Sequence, residues 1–193
     1  MAHSSIAVCR WTWCSETSRT GSFLSTYAPT RVAGVGPVIE IAAGSLHTCA
    51  RLADGSVECW GRDEDGQFGG TAPATCTDFR YSAVPVRCSA VPVTVAGLAG
   101  AVELSLGSNF TCARMATGAT RCLGSNRLGQ LGDGTTTDRT AATEVVNVGG
   151  ALQLSASWEH ATAILADSSV VGWGRSVGLG LGSRCDRRLS GPQ

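Results

Sequence analysis

Lysine is absent from this chain of 193 residues, so every strongly basic side chain is an arginine. Lys+Arg and Asp+Glu are both 15, and the formal net charge is zero. Without a cationic excess, the composition excludes a general nucleic-acid binder and a polybasic membrane-surface protein. The absence of lysine also excludes a phosphate-binding loop of the Gly-x4-Gly-Lys type.

Long apolar runs are missing too. No stretch approaches the roughly 18 to 20 apolar residues of a membrane span, so we expect no span. The start of the chain holds no apolar run of signal-peptide type. We therefore expect a leaderless protein, or the mature or truncated form of a longer one. Long segments of strong helix formers are also lacking, which argues against a helical bundle.

Glycine and cysteine are abundant instead. The chain has 25 glycines, and 43% of its residues are hydrophobic, which is too apolar for a disordered chain. Glycine-rich, Val/Thr-rich composition favours an all-β fold with many tight turns. The 9 cysteines are an odd number, so at least one is unpaired or bonded to another chain.

An internal repeat organises the chain. Ile39–Gly70 aligns without a gap on Val102–Asp133, and a weaker third copy follows the second at a shift of 50 residues. We expect repeats at 28–90, 91–140 and 141–182, the last degenerate and the first carrying an inserted loop at 70–91. Residues 1–27 are interpreted as the degenerate tail of a preceding unit or as disordered, and 183–193 as a polar tail.

Each repeat reads as strands. Val102–Leu106 alternates apolar and polar residues, as half-buried strands do. The loops at 53–55 and 116–118 end in glycine, which fits a tight hairpin closed by a left-handed residue. One short strand, one alternating strand and one hairpin make a four-stranded unit of about 50 residues, typical of a propeller blade.

The hairpins predict two disulfides. Cys49 and Cys59 lie symmetrically about the first loop, and Cys112 and Cys122 about the second. Facing positions on adjacent antiparallel strands are about 4.5 to 5.5 Å apart at Cα, within disulfide reach. In the third copy both cysteines are replaced together, as expected for a bonded pair. Buried free thiols and a metal site are the alternatives.

The inserted loop predicts a third disulfide and an interface. It contains Cys76 and Cys88, which we expect to close a surface loop. Phe79, Arg80 and Tyr81 lie between them, and aromatic and arginine side chains on a preorganised loop suit a protein interface. Alternatively, the loop packs on its own blade. No partner is predicted for the remaining cysteines, which are Cys9, Cys14 and Cys185.

The sequence contains no recognisable catalytic, cofactor or metal-binding motif. His47, Phe110 and His160 occupy one repeat position, which indicates a packing or turn site. No Gly-x-Ser-x-Gly or His-Glu-x-x-His motif occurs. The acidic run at 132–138 is better explained by turn chemistry than by a cation. We expect no enzyme activity, no cofactor and no metal.

The repeats resemble the regulator of chromosome condensation repeat, a family of seven-bladed β-propellers. The resemblance rests on Ala43–Ala50, Asp54–Gly61 and Gly66–Gly69, with a second copy at Gly129–Thr135. The cysteine-bearing version is similar to secreted or surface members found in bacteria. Three to four blades, about three and a half, fall short of seven, so the resemblance implies an incomplete or open propeller. The chain is then a fragment, a damaged reading frame or a self-associating protein.

Function follows from this resemblance as an expectation. It implies a non-enzymatic, protein-binding platform with an unknown partner, extracellular or at the cell surface. Self-association to complete the propeller is a further expectation. The alternative is a cytoplasmic regulator that resembles the family's guanine-nucleotide exchange factor for a small GTPase. Paired cysteines favour the first hypothesis because disulfides persist in oxidising compartments.

Overall fold

The computed structural model describes residue 29 and residues 31–78, 82–176, 179 and 188–189. These residues form thirteen strands: β1 Val38–Ala43, β2 His47–Leu52, β3 Val57–Arg62, β4 Ala74–Asp78, β5 Ser82–Thr94, β6 Ala101–Leu106, β7 Phe110–Met115, β8 Thr120–Gly124, β9 Arg139–Glu144, β10 Ala151–Ser157, β11 His160–Leu165, β12 Val170–Arg175 and β13 Arg188–Leu189.

The strands make three antiparallel sheets. Sheet 1 has the order β1-β2-β3-β5-β4, sheet 2 the order β6-β7-β8-β9, and sheet 3 the order β10-β11-β12-β13. The inner strands β1, β6 and β10 neighbour one another, so the sheets stack face to face as successive blades. The predicted all-β, open and incomplete propeller is confirmed. No helix in the described part of the chain has the length and apolarity to cross a membrane.

The sheets are offset from the sequence repeats. Val93 and Thr94, at the start of the second predicted repeat, pair with β3 and complete sheet 1. Arg139, Thr143 and Glu144 complete sheet 2 by pairing with β8. The chain therefore crosses between sheets at 95–100 and again at 145–150. An outer strand joins the preceding hairpin because that hairpin's free edge needs a hydrogen-bonding partner.

The hairpin turns have the expected geometry. The amide of Leu52 donates to the carbonyl of Ser56 across the first loop, and that of Met115 to Ala119 across the second. Gly55 and Gly118 close these loops at φ of 85° and 86°. A left-handed residue at this point sets the register of the strands on either side. As a result, Cys49 faces Cys59 and Cys112 faces Cys122.

The described residues contain three disulfides. Cys49–Cys59 and Cys112–Cys122 each join facing positions with a Cα separation of 4.1 Å. Cys76–Cys88 joins residues whose Cα atoms lie 5.9 Å apart. This third bond ties β4 to β5, so the insertion at 70–91 adds a fifth strand to sheet 1. Cys9, Cys14 and Cys185 lie outside the described residues.

The core lies between sheets. One cluster fills the space between sheets 1 and 2, where Phe68 and the Cys49–Cys59 bond meet Leu104 and Leu123. A second cluster fills the space between sheets 2 and 3, where Leu131 and Trp173 pack. Because these sheets are only four or five strands across, most apolar burial comes from contact with the neighbouring sheet.

Paired carboxylates also join the sheets. Glu40 binds Nε of Arg51 at 2.7 Å within sheet 1, and its other oxygen accepts the Leu104 amide of sheet 2 at 3.0 Å. Glu103 repeats the arrangement with Arg114 at 2.8 Å and with the Leu154 amide of sheet 3 at 3.2 Å. An inner strand has amides that its own sheet does not pair, and these carboxylates accept from two of them.

Candidate functional site

An open cleft runs across one end of the three sheets. Its volume is about 730 Å³. The turns between the first two strands of each sheet line it, so consecutive sheets contribute equivalent residues. The main lining residues are Gly44, Ser45, Gly107, Ser108, Asn109, Trp158 and Glu159.

Two glycines allow the turns to approach one another. A Cβ on Gly44 would lie 2.4 Å from the carbonyl oxygen of Gly107. A Cβ on Gly107 would lie 1.9 Å from the Phe110 ring. Neither distance is sterically allowed. A side chain at Gly44 would force sheets 1 and 2 apart, whereas one at Gly107 would displace the Phe110 ring of its own sheet. The repeated Gly-Ser pair is therefore needed for the close stacking that forms the cleft floor.

Hydrogen bonds link the turns in sequence. The hydroxyl groups of Ser45 and Ser108 are 3.0 Å apart. The Ser108 amide donates to the Trp158 carbonyl at 2.9 Å, which fixes the third turn against the second. Asn109 donates to the carboxylate of Asp65 at 2.6 Å. Burial raises the pKa of Asp65, and the bond from Asn109 opposes that rise. These links hold the cleft floor rigid.

Trp158 lines the cleft and is highly exposed. Its side chain is 71% exposed, the largest exposure among the described large apolar residues. The next residue, Glu159, pairs with Arg175 at 2.5 Å, so its charge is partly neutralised. A tryptophan held out from a preformed polar floor is a typical anchor for a protein partner, because it buries a large area at little entropic cost.

His47 lies beneath the cleft and is buried. Its Nε2 lies 2.8 Å from the Thr111 hydroxyl, and its Nδ1 has no partner among the described residues. Burial lowers the pKa of His47 to about 3, so the ring is neutral near pH 7. A neutral ring enclosed by two sheets has no route to a substrate, and His47 serves as a packing residue.

The Gly-Gln-x-Gly loops are held by side chains that the sequence pattern did not single out. Asp63 accepts the amides of Phe68 and Ala72, and the equivalent Asn126 accepts the amide of Leu131. Gln67 and Gln130 close the same loops by accepting the amide two residues earlier. The recurrence of Asp or Asn at the start of each loop, three residues before the Gly-Gln pair, was the available signal.

The segment at 132–138, which contains Asp133 and Asp138, forms a turn. Asp133 accepts from Thr135, Asn126 and Arg139. Burial raises the pKa of Asp133, but these hydrogen bonds outweigh burial and hold the pKa below its usual value. Within the described ranges, no group of three or more His, Cys, Asp or Glu side chains is arranged to hold a metal.

The sequence predicts the protein interface on the inserted loop at 70–91 and not at the cleft. Phe79, Arg80 and Tyr81 lie outside the described residues, so they stay a prediction. Trp158 was missed. Its signal was a substitution within the repeat, since Ser45 and Ser108 hold the equivalent position in the first two copies.

Comparisons with known proteins agree with this architecture. A family model described as "Regulator of chromosome condensation (RCC1) repeat" matches residues 38–67. The ultraviolet-B receptor UVR8 of Arabidopsis thaliana is 29% identical over 196 residues, covering 78% of this chain and 44% of the receptor.

Two solved structures share the fold. Yeast RCC1 (Prp20), in its complex with Kap60, superposes with a TM-score of 0.72 at 20% identity, covering 92% of this chain and 40% of that chain. Prp20p of Saccharomyces cerevisiae, described with its binding properties to Gsp1p and histones, gives 0.65 at 20% identity, with 81% and 37% covered. This chain spans less than half the length of each of these proteins.

Proposed function

Starting from a chain that carries regulator of chromosome condensation repeats in an open, incomplete propeller, we propose that it is a non-enzymatic protein-binding segment. Its contact surface is the cleft around Trp158, and it works outside the cytoplasm, in a secreted or cell-surface setting. The observation that carries the proposal is the 71% exposure of Trp158 beside a floor of glycines and hydroxyl groups.

The floor supports recognition of a protein. Ser45 and Ser108 present hydroxyl groups, and the backbone of the turns supplies further polar groups. Such adaptable hydrogen-bonding groups around one rigid aromatic anchor are the usual composition of a protein-binding patch. Glu159 lines the cleft and is paired with Arg175, and Asp65 is bonded to the lining residue Asn109, which limits the cost of desolvating either carboxylate.

A photo-crosslinker at position 158 tests the contact surface. Trp158 is replaced by a photoreactive phenylalanine, and Val91, which is 55% exposed on β5, is replaced in a matched control. Irradiation in the extracellular fraction of the source organism should crosslink a protein at position 158 and not at 91. Unlabelled protein should suppress the crosslink, and Trp158→Ala protein should suppress it at least about tenfold less well. Equal labelling at both positions would overturn the assignment.

The compartment is tested by a non-reducing peptide map of protein from its native source. An oxidising environment requires crosslinked peptides for Cys49–Cys59 and Cys112–Cys122. Free thiols at these four cysteines would remove the secreted setting and favour a cytoplasmic protein.

A second candidate function is regulation of a small GTPase, favoured by the shared fold with Prp20p. It is tested by the release of a fluorescent guanine nucleotide from a small GTPase. Acceleration by this chain, lost in the Trp158→Ala variant, would support an exchange-factor role over the extracellular one. We expect no acceleration.

A further inference from the structure

The side chains that line the Trp158 cleft are rich in hydroxyl and amide groups. Apart from Trp158 and Glu159, the polar lining residues are Ser45, Ser108, Asn109, Ser125, Gln130 and Ser157. Among the described lining residues, Glu159 is the one charged side chain. Hydroxyl and amide groups both donate and accept hydrogen bonds. The lining therefore matches an uncharged ligand whose own groups also do both.

The cleft floor keeps hydrogen-bonding capacity for such a ligand. The hydroxyl groups of Ser45 and Ser108 lie 3.0 Å apart, and a bond between them uses one of their two protons. Asn109 donates its Nδ2 to Asp65 at 2.6 Å, which turns its carbonyl oxygen away from that carboxylate. A sugar hydroxyl group donates one hydrogen bond and accepts others, so it can use both kinds of group on this floor.

Trp158 supplies a flat apolar surface beside these polar groups. Its side chain is 71% exposed, and its backbone carbonyl accepts the Ser108 amide at 2.9 Å, which fixes the turn that carries it. The face of an indole ring carries partial negative charge. The C–H groups on one face of a pyranose ring carry partial positive charge, so the two faces attract one another. An aromatic plate next to hydroxyl and amide groups can therefore hold a sugar ring.

The surroundings of Trp158 favour a sugar over an apolar side chain of a partner. Its chain neighbours, Ser157 and Glu159, both line the cleft and are polar. The other large exposed apolar residues of the described ranges all lie outside the lining. An apolar anchor in a protein interface is normally ringed by contacts that exclude water. A sugar needs no such ring, and a volume of about 730 Å³ accommodates a short oligosaccharide.

We propose that the cleft binds a neutral sugar of a glycan carried by the protein partner. A pyranose ring stacks on Trp158, and its hydroxyl groups bond to Ser45, Ser108 and Asn109. Anionic sugars are disfavoured, because Glu159 is negatively charged and is only partly neutralised by Arg175. This inference rests on the proposed function, since it names the chemistry of the partner at the same cleft.

Binding is tested with the full chain and defined oligosaccharides. Chitotetraose, N-acetyllactosamine and mannotriose are the neutral probes, and hyaluronan tetrasaccharide is the anionic one. Acyclic sorbitol has hydroxyl groups but no ring face and serves as the control compound. The indole N–H signal of Trp158, identified by its loss in Trp158→Ala, should shift saturably with at least one neutral probe. We expect a dissociation constant of about 1 mM or lower, and weaker binding of the anionic probe.

Calorimetric titration compares the variants with the unaltered protein. Trp158→Ala should weaken binding of the neutral probe at least about tenfold, and Ser108→Ala about two- to tenfold, as expected for one hydrogen bond. Leu152→Ala is the matched control, because Leu152 is 58% exposed on β10 and lies outside the lining. It should bind the probe as the unaltered protein does.

Three results would overturn the sugar site: no binding of any neutral probe, equal binding of sorbitol, or undiminished binding by Trp158→Ala. A protein crosslinked at position 158 would still support the proposed function in each of these cases. Saturable sugar binding without a protein crosslink at position 158 would support the sugar site and remove the protein partner. The two proposals can therefore fail separately.

Discussion

The second and third hairpins have the same strand register, but different side chains stabilise them. In the second, formed by β7 and β8, a disulfide joins Cys112 to Cys122. In the third, formed by β11 and β12, the same facing positions hold Thr162 and Gly172, and the Leu179 side chain lies next to Gly172. Both hairpins keep the same register. Turn geometry and apolar alternation therefore define the shape, and the disulfide adds stability to it.

Removing the second disulfide should have the largest effect on this comparison. The double variant Cys112→Thr/Cys122→Gly installs the third hairpin's residues in the second. We expect a loss of about 2 to 4 kcal/mol in the free energy of unfolding, since the unfolded chain is no longer crosslinked. Urea denaturation under oxidising conditions measures it. The difference between the two proteins should shrink when both are reduced, and an unchanged midpoint under oxidising conditions would contradict the prediction.

Removing the Glu103 carboxylate, which joins sheets 2 and 3, should cause the second-largest loss of stability. Glu103→Ala leaves the Leu154 amide without an acceptor and Arg114 without its partner. We expect a loss of about 1 to 3 kcal/mol. Glu103→Gln, which installs the third sheet's residue, keeps an acceptor oxygen and should cost less than about 1 kcal/mol because the ion pair is partly exposed. Equal losses in chemical denaturation would mean that charge, and not the hydrogen bond, is what matters.

A histidine and a phenylalanine at one repeat position predict a pH effect. The pKa of His47 in the folded protein, about 3, lies below its ordinary value of 6.5. As pH falls below 6.5, the unfolded chain takes up the proton first, so stability decreases by about 1.4 kcal/mol per pH unit. His47→Phe, which matches Phe110, should remove this part of the slope.

Thermal unfolding between pH 7 and pH 5 measures the slope, above the range where most carboxylates titrate. The reverse change, Phe110→His, should steepen the decrease, because that position is equally enclosed. Parallel pH profiles for the His47→Phe variant and the unaltered protein would show that His47 does not control the acid response.

The smallest expected effect concerns the turns. Ser168 closes the third hairpin at a φ of 67°, where the first two hairpins have glycine. A side chain is disfavoured in this left-handed conformation, so Ser168→Gly should stabilise the protein by about 0.5 to 1 kcal/mol. The reciprocal variant, Gly118→Ser, should destabilise it by a similar amount. A shift of the same sign in both melting temperatures would contradict this account.

Local pairing was readable from the sequence, and contacts between sheets were not. The facing positions of Cys49 and Cys59 follow from loop length alone, because adjacent strands pair residue by residue. The outer strand at Val93 and Thr94 pairs with β3, whose free edge lies nearby. The spacing of the sequence repeats does not predict this pairing. Because the first strand of a repeat pairs with the preceding sheet, each sequence repeat starts one strand earlier than the sheet it mainly forms.

The candidate site shows the same division. The Gly-Ser turns were recognised as part of the repeat, but their convergence into a cleft requires the sheets to be stacked. Trp158 looks like an ordinary degenerate position until its neighbours are in place, and its exposure follows from how Ser108 holds the third turn. Glu40 and Glu103 recur in the sequence, yet only the structure shows that each accepts an amide from the next sheet.

The offset between repeats and sheets has a consequence for how such a chain can lengthen. Each repeat begins with the strand that completes the sheet before it, as Val93 and Thr94 do for sheet 1. A gene duplication that inserts one more repeat therefore brings the closing strand for its neighbour and leaves its own edge for the repeat that follows. After such an insertion every sheet again has a closing strand, because the strand that follows the insertion closes the inserted sheet, so arrays of this kind can change in blade number without leaving an edge unpaired.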